Sequence, residues 1–381
     1  MPAPIDDALA WLAGERAAMT EFLRELVERN SFTGNAAGVA AVVSVVDARL
    51  RRAGLETETI ASGRFGPHLA FRGPAAGAPV FLVGHTDTVF PPGTFEGWRV
   101  DGDRASGPGA FDMKGGVVVL LWALEAARRA GLLGRVPVAG MLVADEEVGS
   151  PESQPLLSAR ARGAACALVL ESGRAGDLVV TARKGVAALR AVAHGVAAHA
   201  GNEPEKGRSA IWALARFVDR AQGLTDPSRG LSVNVGTIQG GTSKNTVPES
   251  ARCEVDLRYL TPGDGAWLEA ALAGAARESA LPGTRIELER TARREPLVRT
   301  EASAALAREY GACAAASGLG SGEAPLVGGG SDACTTASAG IASIDGLGAR
   351  GRGYHTREEE VDLASLVPKA QALLRFLAGR A

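Results

Sequence analysis

The stretch Pro79-Val80-Phe81-Leu82-Val83-Gly84-His85-Thr86-Asp87 begins apolar and ends polar. Its run from Val80 to Val83 is short and rich in β-branched residues, and Gly84 closes it. That pattern predicts a buried strand of a parallel sheet. His85 and Asp87 then stand at the carboxyl end, where open α/β sheets place their ligands. Residues i and i+2 of an extended chain point the same way, so Asp87 is placed to accept the second ring N–H of His85 and fix its tautomer. For these two residues alone, a satisfied histidine in a surface turn is the competing reading.

The same arrangement recurs along the chain. The apolar run Val138 to Val143 leads into Ala144-Asp145-Glu146-Glu147-Val148-Gly149-Ser150, and Ala167 to Leu170 leads into Glu171. Neighbouring acids can be a solvated polar turn, but a cation that neutralises them explains their clustering at a strand end more naturally. Glu146 and Glu147 cannot share one role, so one is expected to bind metal and the other to take a proton from water. Asp112 sits in Gly107-Pro108-Gly109-Ala110-Phe111-Asp112-Met113-Lys114-Gly115-Gly116, ahead of a predicted helix over Val117 to Ala127. The glycines let backbone approach a site closely, although a carboxylate at a helix entry can also be only an N-cap. His355 follows Arg350-Gly351-Arg352-Gly353-Tyr354, after the strand-like Ile341 to Ile344. Singly each residue is weak. Jointly, imidazoles and carboxylates at successive strand ends, with one spare carboxylate, are what two divalent cations and a hydrolysis need.

The chain has 381 residues, more than a single core usually holds, so two domains are expected. Helical patterns over Asp6 to Arg29 and Gly38 to Arg52 alternate with the strands above, which argues for an α/β domain with a mainly parallel sheet. After Glu171 the texture changes. Strands at Val186 to Val192, Leu231 to Gln239, Ala251 to Tyr259 and Arg285 to Arg290, with helices at Arg208 to Gln222 and Asp264 to Ser279, follow the ferredoxin-like order. The expected division is a discontinuous catalytic domain over 1–183 and 294–381 and an inserted α+β domain over 184–293.

A net charge of −2 gives no electrostatic reason to expect nucleic acid or a membrane surface as partner. The four cysteines are dispersed, and Cys166 and Cys253 read as small core residues. The N-terminus, from Met1-Pro2-Ala3-Pro4 onward, has no basic n-region and is interrupted by Glu15, Arg16 and Glu21, so it reads as an amphipathic helix and the default compartment is the cytoplasm. His68 and His194 receive no role.

On GHTDTV, GPGAFDMKGG, ADEEVGS, LESG, AHAG (198–201), NTVP (245–248), DLR (256–258), GGGSDA (328–333) and GYHT, the chain resembles the M20 metallopeptidases, most closely their glutamate carboxypeptidase branch, from about Phe32 to about Gly379. The resemblance implies two Zn2+ ions per chain, with Co2+ or Mn2+ as substitutes. His85, Asp112 and Glu171 would hold one. Asp112, Glu147 and His355 would hold the other, with Asp112 bridging and its bond to Met113 cis. Glu146 would be the general base. It further implies a homodimer in which His199 steadies the oxyanion in the partner's site and Asn245 binds substrate across the dimer. Arg258 would meet the free carboxylate of a dipeptide-like substrate, as a planar guanidinium suits. Arg293 and Arg294 are both candidates for a further contact to an acidic substrate, because Glu295 before Pro296 departs from the family's local pattern. Gly328, Gly329 and Gly330 could offer backbone N–H groups to a carboxylate, or be a plain flexible loop. Rival readings are an N-acyl or N-carbamoyl amino acid deacylase with the same metal residues, and a non-catalytic relative, which should have lost a ligand or Glu146.

Overall fold

The computed structural model describes residues 5–381. Met1–Pro4, named above in reading the N-terminus, lie outside them. No described helix is long and apolar enough to cross a membrane. The chain divides into two compact units. The first runs to Ala182 and resumes over Arg299–Val327 and Ser331–Ala381; the second takes Arg183–Val298 with Gly328–Gly330.

The first unit is built on a six-stranded sheet. Its strands are β1 (Glu56–Ile60), β2 (His68–Arg72), β3 (Val80–His85), β4 (Val138–Val143), β5 (Cys166–Val169) and the short Ser343–Ile344, in the order β1, β2, β4, β3, β5, Ser343–Ile344. β3 runs parallel to β4 and β5, and Ser343–Ile344 runs parallel to β5; β1 and β2 are antiparallel additions at one edge. Every residue of β3, β4 and β5 is buried, which is why these strands read as continuous apolar runs rather than alternating ones.

Helices α1 (Ile5–Gly14), α2 (Arg16–Val27), α3 (Ala36–Arg52), α4 (Gly115–Arg129) and α5 (Ser153–Ala161) precede the second unit. The single helix expected over Asp6 to Arg29 is broken at Glu15. Gly14 is a weak helix former there, and the Glu15 carboxylate accepts the Trp122 indole N–H at 3.1 Å. α4 is apolar nearly all round and buried in the main core. It starts at Gly115, ahead of the expected Val117; at Gly116 a side chain is not tolerated, since a Cβ would lie 2.0 Å from the Leu170 carbonyl oxygen.

The second unit contains α6 (Ala210–Gln222) and α7 (Pro262–Ser279) and a four-stranded antiparallel sheet of β6 (Gly185–His194), β7 (Ser232–Gly240), β8 (Ser250–Tyr259) and β9 (Arg285–Arg294), ordered β7, β8, β6, β9. This is the ferredoxin-like arrangement. β6 alternates buried and half-buried residues, so one face packs on the helices. Ala187, Leu189, Phe217, Leu257 and Leu268 belong to a core of its own. β9 continues past the expected Arg290 after a register shift between Arg290 and Ala292. The Arg183 N–H then bonds the Leu297 carbonyl at 3.0 Å, which carries this unit to Val298. Back in the first unit, α8 (Glu301–Ala315), α9 (Asp332–Ser338) and α10 (Leu366–Ala378) complete the chain.

Candidate metal centre

His85 is the last residue of β3, flanked by β4 and β5, and is 1% exposed. Its Nδ1 lies 3.0 Å from the backbone carbonyl of Asp87, which makes Nδ1 the donor. Nε2 faces Asp112 Oδ1 at 3.5 Å and Glu171 Oε1 at 3.7 Å. Both separations are longer than an ordinary hydrogen bond, which leaves a place for a cation between the ring and the carboxylates. The tautomer is thus fixed as expected, but by a different atom. The Asp87 carboxylate, 3.5 Å from Nδ1, is turned to the N–H groups of Glu146 and Glu147, each at 3.2 Å, and to the Thr33 hydroxyl at 2.7 Å. Two backbone donors and a hydroxyl satisfy a buried carboxylate better than one distant ring nitrogen.

Asp112 lies in the loop between Gly107 and α4. Gly109 there has φ +73°, and a Cβ on it would lie 2.4 Å from Thr88 Cγ2. The Asp112–Met113 peptide is cis, as the resemblance implies. The two carboxylate oxygens of Asp112 face opposite ways: Oδ1 towards His85, Oδ2 towards His355 Nε2 at 3.4 Å. His355 Nε2 also lies 3.1 Å from Glu147 Oε2. His85 therefore faces Asp112 and Glu171, and His355 faces Asp112 and Glu147, while His85, Asp112 and Glu147 also offer ligand atoms within 4.8 Å of one another. Glu146 offers an oxygen close to His85 and Glu171, all three ligand atoms lying within 4.8 Å of one another. His355 is on a turn with φ +64° and its side chain is 49% exposed, so one flank of the cluster is open to solvent.

The electrostatics follow from crowding carboxylates around two imidazoles in a buried place. Burial raises the Glu171 carboxyl well above the usual range; His85 opposes this, and Asp112, Glu146 and Asp345 add to it. Burial likewise raises Glu147, against the pull of His355. Hydrogen bonds to Asp112 and Glu147 raise His355, with burial opposing. Burial disfavours charged His85, yet Glu171, Asp112 and Asp87 outweigh it and its pKa rises. Asp112 goes down despite its burial, because the His355 and His85 imidazoles both stand against it. Asp112 Oδ1 and Glu147 Oε1 are buried acceptors without a hydrogen-bond partner. Unsatisfied oxygens and a mixed set of N and O donors facing one another together fit divalent cations.

The remaining expected residues lie on the second unit. His199 Nδ1 accepts the N–H groups of Gly201 at 3.2 Å and Asn202 at 3.0 Å, which places the ring proton on Nε2. Asn245 is beside it: its carbonyl accepts the Ala200 N–H, and Thr246 pairs with His199. Arg258 lies 3.0 Å from the Asp256 carboxylate. Arg293 is held by Glu269 at 2.8 Å and Glu295 at 2.6 Å, whereas Arg294 is 6% exposed. The Gly329 carbonyl accepts Arg183 Nη1 at 3.1 Å, and a Cβ at Gly330 would lie 2.9 Å from Arg294 Cδ.

Two residues of the first unit escape sequence reasoning. Thr33 bonds Asp87 from far along the chain, and nothing local signals it. Glu359 is buried, and its carboxylate accepts the Gly109, Phe111 and Asp112 N–H groups. Its only signal was the acidic run Glu358-Glu359-Glu360 just after His355.

The mainly parallel sheet, the inserted ferredoxin-like unit and the imidazole–carboxylate cluster at strand ends are those of a metal-dependent hydrolase with an α/β catalytic unit. Residues 81–379 match peptidase family M20/M25/M40, and the chain belongs to that family and is a hydrolytic enzyme. It is 30% identical to carboxypeptidase G2 of Pseudomonas sp. (strain RS-16) over 361 residues, 93% of this chain and 87% of that one. It is 35% identical to acetylornithine deacetylase of Myxococcus xanthus over 201 residues, 49% of this chain and 50% of that one. Its fold is that of the aminopeptidase PepT from Bacillus cereus ATCC 10987, with TM-score 0.79 at 22% identity, covering 95% of this chain and 99% of the other.

Proposed function

We propose that this chain is a two-zinc amide hydrolase that releases a C-terminal amino acid in the manner of a glutamate carboxypeptidase. The observation that carries the reading is Asp112 presenting one oxygen to His85 and the other to His355. His85, Asp112 and Glu171 would hold one cation, and Asp112, Glu147 and His355 the other. When bound, such cations acidify water and polarise a scissile carbonyl. Glu146 takes the proton of the attacking water and returns it to the leaving amine. Asp87 fixes the turn that carries both glutamates and, through its carbonyl, the His85 ring.

His199 supplies Nε2–H as a neutral donor to the oxyanion that forms on the carbonyl. Asn245 and Arg258 bind substrate, Arg258 exchanging Asp256 for the free carboxylate, with the N–H groups of Gly329 and Gly330 beside it. Arg293, which Glu269 and Glu295 hold, and the buried Arg294 are both candidates for a contact to an acidic side chain. A homodimer is supported within the second unit itself. β7 is an edge strand carrying Ile238, 54% exposed, and its end abuts Ile211 of α6, next to Trp212, 63% exposed. An apolar patch along an unpaired strand edge suits pairing with the same edge of a second copy.

The match to acetylornithine deacetylase favours a second reading on the same residues, release of an amino acid from an N-acyl group. Metal analysis and a hydrolysis screen over dipeptides and N-acyl amino acids, varied on both sides of the bond, test the two. We expect close to two zinc ions per chain, loss of activity on chelation and recovery with zinc. Full activity in metal-free protein would overturn the proposal, and turnover confined to small N-acyl groups would select the second reading.

A further inference from the structure

Glu359 is fully buried, its carboxylate accepts backbone N–H groups, and the buried Lys114 and Asp112 are its charged neighbours. Oε1 accepts the N–H groups of both Phe111 and Asp112 at 2.9 Å, and Oε2 accepts that of Gly109 at 3.2 Å. All these donors belong to the loop that presents Asp112. A peptide N–H fixed at Asp112 sets the origin of a side chain with just two torsions, so it limits where the two carboxylate oxygens can fall.

Glu359 also belongs to the turn that bears His355. The Thr356 N–H bonds the Gly353 carbonyl at 3.1 Å, and the Glu359 N–H bonds the Thr356 carbonyl at 3.2 Å. The turn is anchored to the strand before the Asp112 loop, because the Ser106 hydroxyl donates to the Glu359 carbonyl at 2.9 Å and Glu360 pairs with Ser106. One carboxylate thus ties two segments that are distant in sequence. Each of them supplies a group to the same side of the cluster, where Asp112 Oδ2 and His355 Nε2 are 3.4 Å apart.

We propose that Glu359 is a positioning residue that registers Asp112 against His355 and so sets the affinity and spacing of the cation pair. It touches neither the cations nor the substrate; it acts through the backbone of Asp112. The inference rests on the two-zinc reading above. It differs from a plain structural role, in which loss of Glu359 would lower stability and leave cation binding by the folded protein unchanged.

The test uses Glu359→Gln and Glu359→Ala in the full chain, with Leu50→Ala on α3 as a control that lowers stability through a buried cavity. Glutamine keeps the size and one acceptor oxygen, but turns a donor towards the Gly109 N–H. Zinc affinity is read by competition with a chromogenic chelator, and folding by circular dichroism. We expect Glu359→Gln to fold and to bind zinc roughly tenfold or more weakly, the range seen when the partners that orient metal ligands are lost. The weaker site should be the one shared by Asp112 and His355. Glu359→Ala should be worse, and Leu50→Ala should bind zinc as the parent does. Turnover at saturating zinc should fall with KM little changed. Parental zinc affinity in Glu359→Gln would overturn the inference, even if Glu359→Ala failed to fold. A parent chain that binds no zinc would instead sink the two-zinc reading, so the two failures are told apart.

Discussion

Glu146 and Glu147 are adjacent, yet their surroundings differ, and the proposed mechanism gives them different roles. Asp87 accepts both of their N–H groups, so the turn is fixed and the side chains diverge. Glu147 goes to His355, while Glu146 approaches His85 and Glu171. Glu146→Gln should keep fold and cations and lose turnover by about 10²–10⁴, the range for general acid–base catalysis. Glu147→Gln should instead lower metal occupancy at one site. Metal analysis beside kcat separates them, and swapped outcomes would reverse the roles. The residues of the cluster were legible because each terminates an apolar run or lies in a glycine-rich loop. The contacts that orient them were not. Which atom of Asp87 meets His85, and that Thr33 and Glu359 take part, depends on backbone donors brought in from distant segments, and such pairings leave no local pattern.

Among the elements, the segment around Glu323 shows how an exposed ladder is held. The Val179 N–H bonds the Gly322 carbonyl, and the Ala324 N–H bonds the Val179 carbonyl, both backbone pairs with the chain just after β5. The Glu323 carboxylate adds hydrogen bonds from Arg299 and Thr181, which hold its pKa down at about 2. A depressed carboxylate stabilises the fold above its unfolded pKa, and that stability is lost as pH falls through the folded value. Glu323→Gln should therefore cost up to about 1 kcal/mol at pH 7, as for a solvent-screened pair. The gap to the parent should close as pH drops from about 4.5 towards 2. Urea midpoints across that range measure it, and a gap independent of pH would contradict it. At this scale the buried strands were readable from hydrophobic runs alone. The break at Glu15 and the extension of β9 to Arg294 were not: Glu15 meets Trp122 from far along the chain, and β9 resumes its pairing after a register shift.

At the scale of the whole molecule, the proposed homodimer makes a complementation test possible. Glu146→Gln and His199→Ala chains should each be inactive alone. If His199 serves the partner's site, random exchange puts half the dimers in mixed form, each with one native site, so about a quarter of the parental activity should return. Sedimentation should show a dimer, and no recovery after confirmed exchange would place His199 in its own chain's chemistry or outside catalysis. The order of the chain has a consequence of another kind. The second unit is contiguous apart from Gly328–Gly330, whereas the cluster is assembled from β3, β4, β5 and a turn at His355 that follows it. On the ribosome, where units fold as they emerge, the inserted unit can be finished while the first still lacks His355 and α10. Under the proposed two-zinc reading hydrolytic competence is thus acquired late in synthesis, and a nascent chain stalled before His355 would carry a folded insertion and an incomplete centre.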